Sequence, residues 1–176
     1  AHVALIERND FAGLTSQNSS NLAWGGIKYM ESGHLGLVRK LCLSRNHLMR
    51  AYPSTVKEIR FLTSVERSFR WSPFMLWVGA WIYWVFGNFR TRRPHFISVE
   101  ELAKREPAVD TSRIRGGFEY SDAYLHDNDA RFVFGFVRRA MTNGCIAANY
   151  VESLGAERDA DGVWVVRARD RIDGHE

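Results

Sequence analysis

The chain is poor in the features that most often announce a protein's chemistry. Two cysteines, Cys42 and Cys145, in 176 residues cannot make a disulfide framework or a cysteine-based metal site, which fits a reducing, cytoplasmic setting. Lys and Arg exceed Asp and Glu by only 24 to 20, so no strong field of one sign argues for nucleic acid as a partner. No apolar run reaches the roughly 20 residues that a comfortable membrane-spanning helix needs. H-E-x-x-H, G-x-S-x-G, the P-loop and G-x-G-x-x-G are all absent. The apolar fraction of 45% is nevertheless that of a globular protein, so a core is expected.

What is present begins at once. Val3-Ala4-Leu5-Ile6 is a short apolar run ending in Glu7, the pattern of a buried parallel strand that closes on an acid. An acid at such a tip can accept hydrogen bonds from both ribose hydroxyls of an adenine dinucleotide. A long stretch rich in Ser, Asn and Gly follows, with aromatics among them. It offers small donors and close backbone approach. Lys28 is the only cation between Asn9 and Gly33.

Further along, Leu35, Leu37-Val38, Leu41-Cys42 and Leu48-Met49 recur at helical spacing, predicting a helix over His34–Tyr52 that Pro53 stops. Val56–Val65 has strand character. Ser98-Val99-Glu100-Glu101 is a capping box opening a short helix before Pro107. Arg113–Tyr120 predicts an extended segment with two glycines. Asp127–Asn143 predicts a helix with Gly144 just past its end. Ala147–Leu154 is expected to be one strand. Asp161-Gly162 marks a hairpin turn between Leu154–Arg158 and Val163–Arg169, and Asp173-Gly174 a second turn.

Trp71–Phe86 carries no charge, contains four tryptophans, and is flanked by Arg67, Arg70, Arg90, Arg92 and Arg93. Three readings stay open for it. It is an interfacial helix on an anionic membrane surface, a buried core helix, or a spanning segment. His126-Asp127-Asn128-Asp129 has poor spacing for a metal, and its acids suit a helix start, so no metal is expected; Arg131 is expected to pair with an acid.

Two blocks resemble the family of FAD-dependent glycerol-3-phosphate dehydrogenases, within the glycine/D-amino-acid oxidase type of flavoprotein. The first is ERNDFAGLTSQNSSNLAWGGIKYMESG, within Val3–Tyr52; the second is GGFEYSDAYLHDNDARFVFGFVRRAMTNG, within Gly116–Arg169. The resemblance implies an α/β fold: a partial Rossmann-type FAD-binding domain with the start of a β-rich substrate domain. Residues 1–55 and 121–176 would belong to the FAD-binding domain, and residues 56–120 to an inserted substrate-domain or cap segment holding the aromatic helix. In the family the strand ending in Glu7 is the second of the Rossmann unit. The chain therefore reads as an internal fragment that by itself should bind FAD poorly and be inactive.

The resemblance also implies site residues. Glu7 would hold the ribose. Thr15, Ser16, Ser19, Ser20, Asn21 and Leu22 would line the pyrophosphate and ribityl chain of FAD, whose oxygens hydroxyls and backbone N–H groups can satisfy. Trp24, Gly25 and Gly26 would lie against the isoalloxazine ring, and Val151 would touch the adenine through its backbone. Lys28 and Tyr29 would face the substrate. Trp24 stands where the family has His, Asn21 where it has Lys, and Lys28 where it has Arg, so a point charge replaces a bidentate fork. The resemblance implies glycerol 3-phosphate or a relative as the substrate, and these departures, which surround the flavin face, point to a branch acting on a different hydroxy compound. Hydride would pass to flavin N5, with electrons handed on to quinone at a membrane surface, peripheral to the inner membrane. The alternatives are an amine or amino-acid oxidase of the same fold, or a degenerate, non-catalytic membrane-surface fragment.

Overall fold

A computed structural model describes residues 2–176. The chain divides into two compact units, one containing the segments up to and including Asn21 and from Asp127 to Glu176, the other running from Leu22 to His126.

In the first unit, β1 (Ala4–Glu7) pairs in parallel with β6 (Ile146–Asn149), in the register Leu5 to Ala147 and Glu7 to Asn149. The parallel pairing is the expected one, but the burial is not. Leu5 and Ile6 are 39% and 40% exposed, because β1 pairs only with β6 among the described residues and lacks the two covering layers of a parallel sheet. The helix α4 (Asp129–Thr142) leads into β6. Gly144 follows it in the left-handed region at φ 90°, as the sequence predicts for a helix end.

The expected single strand over Ala147–Leu154 is two strands. Tyr150 takes a positive φ of 59° and breaks it, its hydroxyl donating to Asp10 Oδ1 at 2.8 Å. The chain thereby leaves its pairing with β1 and enters β7 (Val151–Arg158), which pairs antiparallel with β8 (Trp164–Asp170). Gly162, at φ 79°, turns between them.

The second unit is organised around the long strand β5 (Ile114–Leu125). One edge of β5 pairs antiparallel with β3 (Val56–Glu66); the other takes β2 (Leu22–Ala23) toward one end and β4 (His95–Ile97) toward the other. Gly117 suits this position, since a Cβ there would lie 2.3 Å from the Thr63 carbonyl oxygen of β3. The predicted helices form as α1 (Leu35–Ala51) and α3 (Val99–Arg105), and Ser98 Oγ accepts from the Glu101 N–H at 3.2 Å as the capping box requires. A short 3₁₀ turn spans Ile27–Met30. Three core clusters are formed among the described residues. Val38, Cys42 and Tyr83 form one, Val65, Ala80 and Phe118 the next, and Ile97, Leu102 and Ile114 the third.

The aromatic stretch forms α2 (Pro73–Phe86), with Ser72 Oγ accepting from the Met75 N–H. No helix among the described residues is long and apolar enough to cross a membrane, so the spanning reading is dropped. The core reading holds for one side of the helix only. Ala80 and Tyr83 are buried in the core, whereas Phe74, Met75, Val78, Ile82 and Val85 form an exposed apolar stripe. Trp77, Trp81 and Trp84 lie between these faces, edge to face with one another at 6.0 and 5.2 Å.

Candidate functional site

In the first unit, Glu7 and Val151 come together although the sequence separates them widely. They line one recess of about 370 Å³ with Ile6, Arg8, Glu152 and Ser153. The parallel register of β1 on β6, followed by the break at Tyr150, brings the start of β7 beside the tip of β1. Glu7 Oε1 accepts from the Asn9 N–H at 2.9 Å. That bond orients the carboxylate and leaves acceptor capacity, since a carboxylate has about four lone-pair sites.

Between Arg8 and Asn21 the chain makes tight turns, with Ala12, Leu14 and Asn21 all at positive φ. The Thr15, Ser16 and Ser20 hydroxyls make no hydrogen bond among the described residues, so they remain available to a ligand. Ser19 and Asn21 are occupied differently. Ser19 Oγ accepts from the Asn21 N–H at 3.0 Å, and Asn21 Oδ1 accepts from the Asp129 N–H at 2.9 Å. Asn21 therefore helps to close the start of α4, where Asn128 Oδ1 also accepts from the Ala130 N–H at 2.7 Å. A second recess of about 750 Å³ lies between this loop and α4, lined among others by Asp10, Gln17, Asn128 and Arg131. Arg131 pairs with Asp127 at 3.0 Å, as expected, and no group of side chains among the described residues could hold a metal.

In the second unit, Leu22 ends up in the ladder with Tyr124, and Trp24 packs its ring 5.5 Å from that of Tyr29. Lys28 is exposed and has no ion-pair partner among the described residues. Gly25 and Gly26 are buried. The room their missing side chains leave is taken up by this chain itself: a Cβ on Gly25 would lie 2.1 Å from the Tyr83 hydroxyl, and one on Gly26 2.7 Å from Leu41 Cδ1.

Beneath that segment lies a buried charged cluster that the sequence reading missed. Asp122, on β5, accepts from the Gly25 N–H at 2.9 Å and from Arg45 Nη1 at 3.1 Å through Oδ1, and from the Tyr83 hydroxyl at 2.8 Å through Oδ2. The Arg45 and Asp122 side chains are 1% and 0% exposed. Arg45 also donates to Asn46 Oδ1, and Asn46 Nδ2 to the Gly87 carbonyl at 2.6 Å.

Burial pushes the Asp122 carboxyl up from its ordinary value, while Arg45, the Gly25 N–H and the Tyr83 hydroxyl pull it back. Burial opposes the charge on Arg45, but Tyr83 and Asp122 outweigh it and raise its pKa. Gly25 and Arg45 can only donate, so Asp122 Oδ1 serves as an acceptor for both. Burial first, and then the Asp122 charge, drives Tyr83 upward and keeps it a donor; burial likewise pushes Cys42 up to about 11. One signal was available in the sequence. Arg45 continues the spacing of Val38 and Cys42 on the apolar face of α1, where a charge requires a partner.

A mixed α/β fold and a parallel strand pair whose first strand ends in an acid, with a recess at that acid, form the kind of arrangement that a dinucleotide-binding fold uses. The chain belongs to the FAD dependent oxidoreductase family, which it matches over residues 1–175. It is 30% identical over 175 residues to a glycerol-3-phosphate dehydrogenase of Mycobacterium leprae, covering 98% of this chain and 29% of that protein. It is also 30% identical to an alpha-glycerophosphate oxidase of Streptococcus pyogenes, with 98% of this chain and 29% of the relative covered. Its fold is similar to that of the glycerol-3-phosphate dehydrogenase of Bacillus halodurans solved with FAD, with a TM-score of 0.62 at 20% identity over 98% of this chain and 26% of that one. The chain thus spans under a third of the length of these relatives.

Proposed function

We propose that this chain forms part of a FAD-dependent dehydrogenase that oxidises the secondary alcohol of glycerol 3-phosphate or a closely related phosphorylated polyol. The observation that carries the reading is the shared recess of Glu7 and Val151, in a chain that belongs to the FAD dependent oxidoreductase family. The residues present fit an adenine dinucleotide there. Glu7 would accept from the ribose hydroxyls and Val151 would offer its backbone to the adenine. Thr15, Ser16 and Ser20 have hydroxyls free for phosphate and ribityl oxygens, with Ser19, Asn21 and Leu22 shaping the same stretch.

Toward the flavin, Trp24 supplies a ring face. The buried Gly25 and Gly26 let the backbone lie close-packed on Tyr83 and Leu41. When bound, FAD supplies the acceptor for the two electrons and the hydrogen lost from the carbinol carbon. Lys28, exposed and without an ion-pair partner, would attract the substrate phosphate, and Tyr29, fixed against Trp24, would orient it.

Quinone as electron acceptor and attachment to a membrane surface belong to the same proposal. They are supported by the exposed stripe of Phe74, Met75, Val78, Ile82 and Val85, flanked in sequence by arginines. The cofactor assignment is tested by Glu7→Ala in the intact enzyme. Loss of hydrogen bonds to a charged group should raise the FAD dissociation constant by about 1.5–3 kcal/mol, on the order of 10- to 150-fold. An unchanged flavin content and affinity would remove Glu7 from the site.

A further inference from the structure

Within the second unit the Gly25 backbone is held from both sides. Its N–H donates to Asp122, and its carbonyl accepts from the Cys42 thiol with Sγ 3.7 Å away. The ladder between β2 and β5 ends at the pair Ala23 and Ala123. Just beyond it, the Asp122 side chain supplies the acceptor that a further strand pair would have offered. Arg45 from α1 and Tyr83 from α2 converge on the same carboxylate, so three elements meet at one backbone N–H.

Stability alone does not account for this cluster. An apolar set of similar volume is commonly as stable as a buried ion pair or more so, since each charge must be stripped of water. What such a cluster adds is a directional constraint that apolar packing lacks. Its position is informative too. Gly25 lies between Trp24 and the pair Lys28 and Tyr29, and the 3₁₀ turn that begins at Ile27 carries both of those residues.

We propose that Asp122, oriented by Arg45 and Tyr83, is a positioning residue. It fixes the backbone at Gly25 and thereby sets the placement of Trp24 on one side and of Lys28 and Tyr29 on the other. The inference rests on the reading that this segment faces flavin and substrate, and it adds the device that holds it there. The device acts without touching either molecule. A neutral side chain of the same size at residue 122 leaves the segment in the fold but loosens its register. The effect then reaches the ring environment through Trp24, and phosphate binding through Lys28.

The test uses the intact FAD-loaded enzyme with Asp122→Asn and, as a milder variant that keeps the ion pair, Tyr83→Phe. Leu102→Ala, in a separate cluster of the same unit, serves as a control for general destabilisation. Hydrogen exchange over residues 24–29 should speed up on the order of tenfold in both cluster variants and stay unchanged in the control, as expected for losing one hydrogen bond to a charged group. The visible flavin spectrum should shift, and KM for glycerol 3-phosphate should rise more than kcat falls. Unaltered exchange over residues 24–29 overturns the positioning role, whatever the cofactor does. Faster exchange with an unchanged flavin spectrum and an unchanged KM overturns the placement of this segment at the flavin, and the inference with it.

Discussion

Asp122→Ala should be among the most damaging single changes in this chain. Its side chain is fully buried and receives three donors: the Arg45 guanidinium, the Tyr83 hydroxyl and the Gly25 N–H. Truncation leaves Arg45 as a charge that is 1% exposed and has no counter-ion. Breaking a buried pair by removing one partner costs about 3–5 kcal/mol, mostly the penalty of the charge left behind. For a unit of roughly a hundred residues, 1 kcal/mol moves Tm by about 4–8 °C, so a fall on the order of 12–40 °C is expected.

Circular dichroism melting of the intact protein measures it. Replacing the whole cluster, with Arg45→Met, Asp122→Leu and Tyr83→Phe together, should recover most of the loss. It should fall short of wild type by about 1–3 kcal/mol, the cost of the Gly25 N–H left without an acceptor. A single variant melting within about 1 kcal/mol of wild type would refute the account, because it would mean that Arg45 finds water or another acceptor.

Glu119 is held below the ordinary carboxyl range; burial alone would raise it, but hydrogen bonds from Arg60 and Arg105 outweigh that. A depressed folded-state pKa adds stability above the ordinary value of 4.5, and that stability is lost as pH falls through the folded value. Glu119→Gln should therefore cost about 1–2 kcal/mol at pH 7, and the difference from wild type should shrink below pH 4.5 in chemical denaturation. Lys28→Ala should raise KM for a phosphorylated substrate more than for its unphosphorylated analogue; equal effects would remove the phosphate role. Liposome flotation should show salt-sensitive binding that Arg90→Glu, Arg92→Glu and Arg93→Glu weaken, each arginine contributing roughly 1 kcal/mol at an anionic surface. Flotation that ignores both salt and these substitutions would end the membrane reading.

The local elements were legible because their determinants are local. Helical spacing and Pro53 predict α1, Ser98 and Glu101 predict the start of α3, and Asp161-Gly162 predicts the β7–β8 turn. The strand ending in Glu7 was legible from an apolar run that closes on an acid. Tertiary structure alone decided the rest. The left-handed Tyr150 that splits one expected strand into two is held by Asp10, distant in sequence. The meeting of Glu7 with Val151 depends on a parallel register that no local pattern encodes. The two-faced character of α2 was equally hidden, since a helix apolar all round does not say which side is covered. So was the reason for Gly25. From the sequence it reads as making room for a flavin, whereas in the fold its space is filled by Tyr83 and its N–H is bound by Asp122. Residues from α1, α2 and β5 converge there only once the sheet and helices have packed, and a buried charge is tolerated only where such convergence satisfies it.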